Sequence, residues 1–138
     1  MSAAASLTGG CACGRVRWRL TEPPVGAVYC HCTRCQRRTG TAGAPSARAA
    51  PGSLRITAGE EVLRAWAPPD GWLKWFCAEC GSAVYSQDPE RPEVIGMRMG
   101  GFDADPGVRP TLRQFVADAP AWEPLPDDGL PRYAERAP

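Results

Sequence analysis

Seven cysteines in three groups carry the chemistry of this 138-residue sequence. The groups are Cys11-Ala12-Cys13-Gly14, Cys30-His31-Cys32-Thr33-Arg34-Cys35 and Cys77-Ala78-Glu79-Cys80-Gly81. A Cys-x-x-Cys-Gly turn brings two sulfurs onto one metal ion, and the Gly takes the backbone angle needed after the second ligand. A structural zinc takes four ligands, so Cys77 and Cys80 require a second pair. Cys11 and Cys13 can supply it. On a flat strand, residues two apart share a face about 7 Å apart. Zinc at about 2.3 Å from each sulfur needs the sulfurs within about 4 Å. The chain must therefore curl at Cys11–Cys13, and Gly9, Gly10 and Gly14 make curling easy. Cys11, Cys13, Cys77 and Cys80 are expected to form a closed tetrahedral site. Such a site can contribute ~10–16 kcal/mol to folding.

Cys30, Cys32 and Cys35 remain. Three thiolates at i, i+2 and i+5 can wrap a second zinc and leave its fourth position open, the pattern of a catalytic zinc. Three thiolates on a divalent ion sum to −1, and sulfur donors are electron-rich. Such a centre acidifies water less well than a three-histidine zinc and accepts a fourth thiolate readily. The expectation is a thiol-binding site rather than a hydrolase. Arg34, Arg37 and Arg38 share the segment and are candidates for offsetting its charge or clamping substrate carboxylates, as are Arg48 and Arg113. Other readings stay open on spacing alone. Cys32 and Cys35 could be a redox pair. Both sites could be structural, with His31 or another group closing the second. The cysteines could also be scattered core residues. His31 lies between two ligands, so on an extended chain it points away from them, towards a supporting or surface role.

The elements that must hold these groups are short. Arg15–Leu20 alternates basic with apolar residues at strand period. Val25–Tyr29, Ser53–Thr57, Glu61–Trp66, Trp72–Phe76, Ala83–Ser86, Val94–Met99 and Leu112–Val116 are further expected strands. Only Cys35–Thr39 and Pro131–Arg136 look helical. Residues 1–8 read as a flexible tail and residues 9–138 as a single domain. Many short strands separated by turn residues indicate a mostly β chain.

Composition bounds the rest. A 43% hydrophobic fraction with five Trp argues for a packed core. The formal net charge of +1 leaves little general pull on nucleic acid or an anionic membrane. Of sixteen basic residues only Lys74 is Lys. The N-terminus has neither the basic start nor the apolar run of a signal peptide. No stretch approaches the ~20 apolar residues of a membrane span. The expected location is the cytoplasm, where thiols stay reduced, and an odd number of cysteines fits metal better than disulfides.

The ordered motifs resemble a known family. Gly10-Cys11-x-Cys13-Gly14-x-Val16, then Cys30-His31-Cys32-x-x-Cys35-Gln36-x-x-Thr39-Gly40, then Phe76-Cys77-x-x-Cys80-Gly81-Ser82 are similar to those of the glutathione-dependent formaldehyde-activating enzymes. These share a domain with centromere protein V. Gly100-Gly101-Phe102-Asp103, Ala121-Trp122 and Gly129-Leu130-Pro131-Arg132-Tyr133 extend the likeness to nearly the whole chain, from about Leu7 to Tyr133. The resemblance implies a mostly β, Mss4-like fold tied by two zincs. Cys11, Cys13, Cys77 and Cys80 would hold the structural zinc, and Cys30, Cys32 and Cys35 the catalytic one. The implied activity is carbon–sulfur lyase chemistry, joining glutathione to formaldehyde as S-hydroxymethylglutathione. The alternatives are a non-catalytic zinc-stabilised binding module and a glutathione carrier without turnover. Two places depart from the family pattern. Pro68–Trp75 lacks the Ser residues and Arg common there, and Arg113 stands where members often have His.

Overall fold

The structure, a computed structural model, describes residues 7–138. Its strands are β1 (Thr8–Gly10), β2 (Arg17–Leu20), β3 (Gly26–Cys30), β4 (Ala44–Arg48), β5 (Leu54–Ala58), β6 (Leu63–Trp66), β7 (Leu73–Cys77), β8 (Ala83–Gln87), β9 (Ile95–Arg98) and β10 (Arg113–Gln114). One α-helix, α1 (Thr33–Thr39), lies among the described residues. The strands form a three-stranded sheet, β1-β2-β5, and a seven-stranded sheet, β10-β3-β4-β9-β8-β7-β6. Every pair is antiparallel except β10 with β3. The expected mostly β fold is the one observed.

Alternation decides which face of the large sheet is buried. In register across it stand Ala27, Ala47, Met97, Tyr85, Trp75 and Ala65. Met97 and Tyr85 of this row join Trp18 and Leu20 of β2 in the core, with Val16, Val62, Leu63 and Ile95 around them. Trp18 and Leu20 are each 1% exposed, while Arg19 between them faces solvent. The opposite face carries Cys30, Ser46, Arg48, Gly96, Arg98, Ser86 and Lys74, again by register and period two. Helix α1 touches β4 and brings Cys35 beside Cys30.

Several expectations are corrected. Of the tail expected over residues 1–8, Leu7 O accepts from Leu20 N–H at 2.7 Å and Thr8 begins β1 and pairs with Arg19, while residues 1–6 lie outside the described residues. Gly9 and Gly10 belong to the same strand and do not form the curl. A Cβ on Gly9 would lie 2.3 Å from the Trp18 ring, so the close packing of β1 on β2 accounts for that glycine. Pro131–Arg136 is not helical. Its backbone bonds go to the neighbourhood of β10: Arg113 N–H donates to Pro131 O and Tyr133 N–H to Arg113 O, both at 2.9 Å. The Leu112–Val116 strand shrinks to Arg113–Gln114, because Phe115 adopts a left-handed backbone and a 3-10 turn over Val116–Asp118 follows. Glu61 and Val62 likewise lie in a 3-10 turn, and β6 begins at Leu63.

Candidate functional site

The third cysteine group sits at the turn between β7 and β8. Gly81 N–H donates to Cys77 O at 2.8 Å, closing a tight turn in which Gly81 has φ 78°, a left-handed angle open to glycine. Cys77 is fully buried and belongs to the core. The first group curls as its ligand spacing demands. Gly14 N–H donates to Cys11 O and Cys11 N–H to Val16 O, both at 3.1 Å. The Cys11 sulfur accepts from Val16 N–H at 3.2 Å.

The sulfurs of Cys11, Cys13, Cys77 and Cys80 all lie within 4.8 Å of one another. Cys11 to Cys13 is 3.6 Å and Cys13 to Cys77 is 3.9 Å. Tetrahedral bonds of about 2.3 Å put sulfurs about 3.8 Å apart, so the four fit one ion. Ser82 ties the two halves together, accepting from Ala12 N–H at 3.0 Å and lying 3.2 Å from the Cys80 sulfur. Its hydroxyl and backbone N–H bring the Cys80 thiol down to about 5. The residue is visible in the sequence only as the position after Cys-Gly.

Cys30, Cys32 and Cys35 form the second cluster, again with sulfurs within 4.8 Å. Cys30 ends β3. Cys32 caps α1, its sulfur accepting from Cys35 N–H at 3.3 Å, and Cys35 is buried in the first turn. The helix stops at Gly40. Hydrogen bonds from Cys30 and Cys32 bring the Cys35 thiol down to about 2 against its burial, and the positive charges of Arg98 and Lys74 act in the same direction. The same hydrogen bonds, now with Cys32 and Cys35, push Cys30 up. Each cluster is thus a cysteine group that can hold a metal ion, one with four donors and one with three.

His31 does not close the second cluster. It is 4% exposed, which overturns the surface alternative, and both ring nitrogens are engaged. Nδ1 lies 2.9 Å from Ala42 O and Nε2 lies 3.1 Å from Nη1 of Arg113. A guanidinium has only donors, so Nε2 accepts and the ring proton sits on Nδ1, donated to Ala42 O.

The five candidate arginines fall in different places. Arg34 pairs with Asp70 at 2.7 Å and lies over the Trp66 ring. Arg37 is exposed beside Arg34 and Trp66. Arg48 is exposed, its guanidinium 5.5 Å from the Trp72 ring centre. Arg113 is 6% exposed and lies among His31, Asp128 and the Tyr29 ring, and it lines neither the recess beside Trp66 nor the cleft that Arg38 lines. Arg38 alone of the five lines the main cleft, a volume of about 680 Å³ that runs from Cys11 past Arg38 and Arg98 to Phe102 and Asp103. None of Cys30, Cys32 and Cys35 lines this cleft; Arg38 and Arg98 connect it to them. Arg98 and Lys74 carry no motif in the sequence. Only the pairing of β4, β9, β8 and β7 shows them to share the face of Cys30.

The family model described as "Glutathione-dependent formaldehyde-activating enzyme" matches residues 6–118. A Halomonas elongata protein named "Putative glutathione-dependent formaldehyde-activating enzyme" is 28% identical over 123 residues, covering 84% of this chain and 78% of that protein. A crystal structure of a Rhodobacter sphaeroides protein superposes with a TM-score of 0.59 at 26% identity, covering 92% of this chain and 99% of the other. With three cysteine motifs gathered into two ion-sized clusters and a family match over most of its length, the chain belongs to the glutathione-dependent formaldehyde-activating enzyme family.

Proposed function

We propose that the chain is a zinc-dependent carbon–sulfur lyase-type enzyme acting on the adduct of glutathione, or a similar thiol, with formaldehyde or a related small carbonyl. Residues 9–138 form its single domain. Cys11, Cys13, Cys77 and Cys80 hold a structural zinc, and Cys30, Cys32 and Cys35 hold a catalytic one whose fourth ligand is the substrate thiol. The observation that carries this reading is the unequal donor count. One cluster has four sulfurs, and the other has three with its neighbouring histidine committed elsewhere.

A zinc in the three-sulfur cluster supplies a position at which a thiol stays deprotonated at neutral pH. The chain's own residues do the rest. Cys30 and Cys35 come from a strand end and a helix start, so the cluster is held on rigid elements. Burial of Cys35 excludes water from one side. Arg98, Lys74 and Arg38 keep the surroundings positive and favour an anionic sulfur. In the reaction the thiolate sulfur bonds to the carbonyl carbon and the π pair moves to oxygen. The proton released by the thiol ends on that oxygen, giving the S-hydroxymethyl product with all atoms retained.

The test is calorimetry with glutathione on protein of known metal content, followed by the rate of adduct formation with formaldehyde. Saturation at one site per chain and an accelerated rate are expected. Saturation with no acceleration would make the protein a carrier, and no heat at about 1 mM glutathione would remove the thiol assignment.

A further inference from the structure

Three cations crowd the face of the large sheet that carries Cys30. Lys74 on β7, Arg98 on β9 and Arg38 on α1 lie close enough to act electrostatically on one another and on Cys35. None is fully exposed. Burial lowers the pKa of both Lys74 and Arg38, and Arg98 lowers each further. None of the three belongs to an ion pair among the described residues, whose pairs all use other basic side chains. Nη1 of Arg38 and Nε of Arg98 are buried without a hydrogen-bond partner. The contacts the cations do make are to neutral hydroxyls: Arg98 Nη1 donates to Ser46 Oγ at 2.9 Å and Lys74 Nζ to Ser86 Oγ at 3.5 Å.

The thiolates do not balance this charge. Three thiolates around a divalent ion carry a net charge of −1, which leaves two positive charges in excess. Half-buried like charges repel, and buried donors without partners cost free energy, so the arrangement calls for an anion. Space for it exists. The floor between Lys74 and Arg98 carries only small side chains: Ser86 stands opposite both Lys74 and Gly96, and Ser46 stands opposite Arg98. A Cβ at Gly96 would make only ordinary contact, 3.6 Å from Ser46 Cβ. The cleft of about 680 Å³ is lined by both Arg38 and Arg98.

We propose that Arg38, Lys74 and Arg98 form an oxyanion niche beside the three-sulfur cluster, and that it takes a carboxylate of the substrate thiol. Two guanidinium forks suit a planar carboxylate, and the ammonium adds a point charge beneath them. The niche rests on the thiol reading given above and narrows it: a thiol carrying a suitably placed carboxylate is selected over an equally reactive neutral one.

The test uses cobalt(II)-loaded protein titrated with glutathione and with glutathione diethyl ester, which keeps the thiol and blocks both carboxylates. Thiolate-to-cobalt absorption reports thiol binding. In the parent protein glutathione should half-saturate at a concentration about tenfold or more below the diester. In Arg98→Met and Lys74→Met the ratio should fall towards one, because both thiols lose the same help to an anionic sulfur while glutathione alone loses its carboxylate contact. Arg98→Lys should restore part of the ratio, which separates charge from packing, and matched cobalt content and circular dichroism control for folding. A ratio of one in the parent protein, with clear absorption changes, overturns the niche and leaves the thiol reading standing. So does a parental ratio that survives in both Met variants. If neither thiol alters the absorption, the thiol reading fails, and calorimetry with S-methylglutathione decides the niche alone. Heat that disappears in Arg98→Met supports it, and no heat at about 10 mM overturns it.

Discussion

Nη1 of Arg113 donates to Nε2 of His31 at 3.1 Å, joining residues 82 positions apart. The same guanidinium lies 2.7 Å from Asp128 and 4.2 Å from the Tyr29 ring centre. Arg113 thus clamps the segment that carries Cys30 and Cys32 to the C-terminal part of the chain. Arg113→Met should leave the buried Nε2 without a donor and lower unfolding free energy by about 1–3 kcal/mol. Urea denaturation would measure this. A loss below about 0.5 kcal/mol would show that the clamp contributes nothing.

Gly43 presses on the other side of the same imidazole. A Cβ there would lie 2.4 Å from Nδ1 of His31, whose ring is held at both nitrogens. Gly43→Ala should therefore displace the ring and destabilise by about 1–3 kcal/mol, as overpacking does. The readout is the thermal midpoint, with metal content measured alongside. An unchanged midpoint would mean the ring moves freely.

The two cysteine clusters should differ in what their loss does. The four-sulfur cluster joins the β1–β2 loop to the β7–β8 turn through a fully buried Cys77. Removing its ion withdraws up to ~10–16 kcal/mol of folding free energy, so Cys77→Ser should fail to fold. Cys32→Ser should lose activity and one metal ion while the near-ultraviolet dichroism persists. Full activity in Cys32→Ser would refute the assignment of that cluster.

Acid should weaken the fold through its paired carboxylates. The Arg17 guanidinium, then the Thr8 hydroxyl, hold Asp103 below its ordinary value of 3.8, and Asp105 is lowered to about 2, chiefly by Arg109. Their folded values lie below their unfolded ones. The stability they add is complete above the unfolded value and is lost as pH falls through the folded one. Urea midpoints should therefore drop between about pH 4 and pH 2. Asp103→Asn should start lower and fall less steeply across that window. Parallel curves for the two proteins would deny Asp103 this part.

The cysteine grouping was legible from spacing because ligand geometry is local. Two ligands two or three residues apart can meet one ion only if the chain curls, and Gly14 and Gly81, which take left-handed angles, stand directly after Cys13 and Cys80. Strands with alternating burial, such as Arg17–Leu20, were legible for the same reason. β4 was not, because Ala-Pro-Ser-Ala-Arg has weak strand propensity and a proline. Pro45 is tolerated since β9 pairs only with Ser46–Arg48. The irregular run at Pro131–Arg136 escaped because its bonding partners around β10 are long-range.

From its own residues, then, the sequence determined that its cysteines come in three short groups with metal-ligand spacing and that the chain is mostly β, because those constraints act within a few residues. Ligand number, rather than local pattern, joined the first group to the third, and the structure brings those four sulfurs together. Only the tertiary structure decided the surroundings. It turned His31 inward against Arg113, paired Arg34 with Asp70, and set Lys74, Arg98 and Arg38 around Cys35. Those neighbours come from strands paired across the sheet and from the helix laid over it, so their meeting depends on sheet order, which no local pattern encodes.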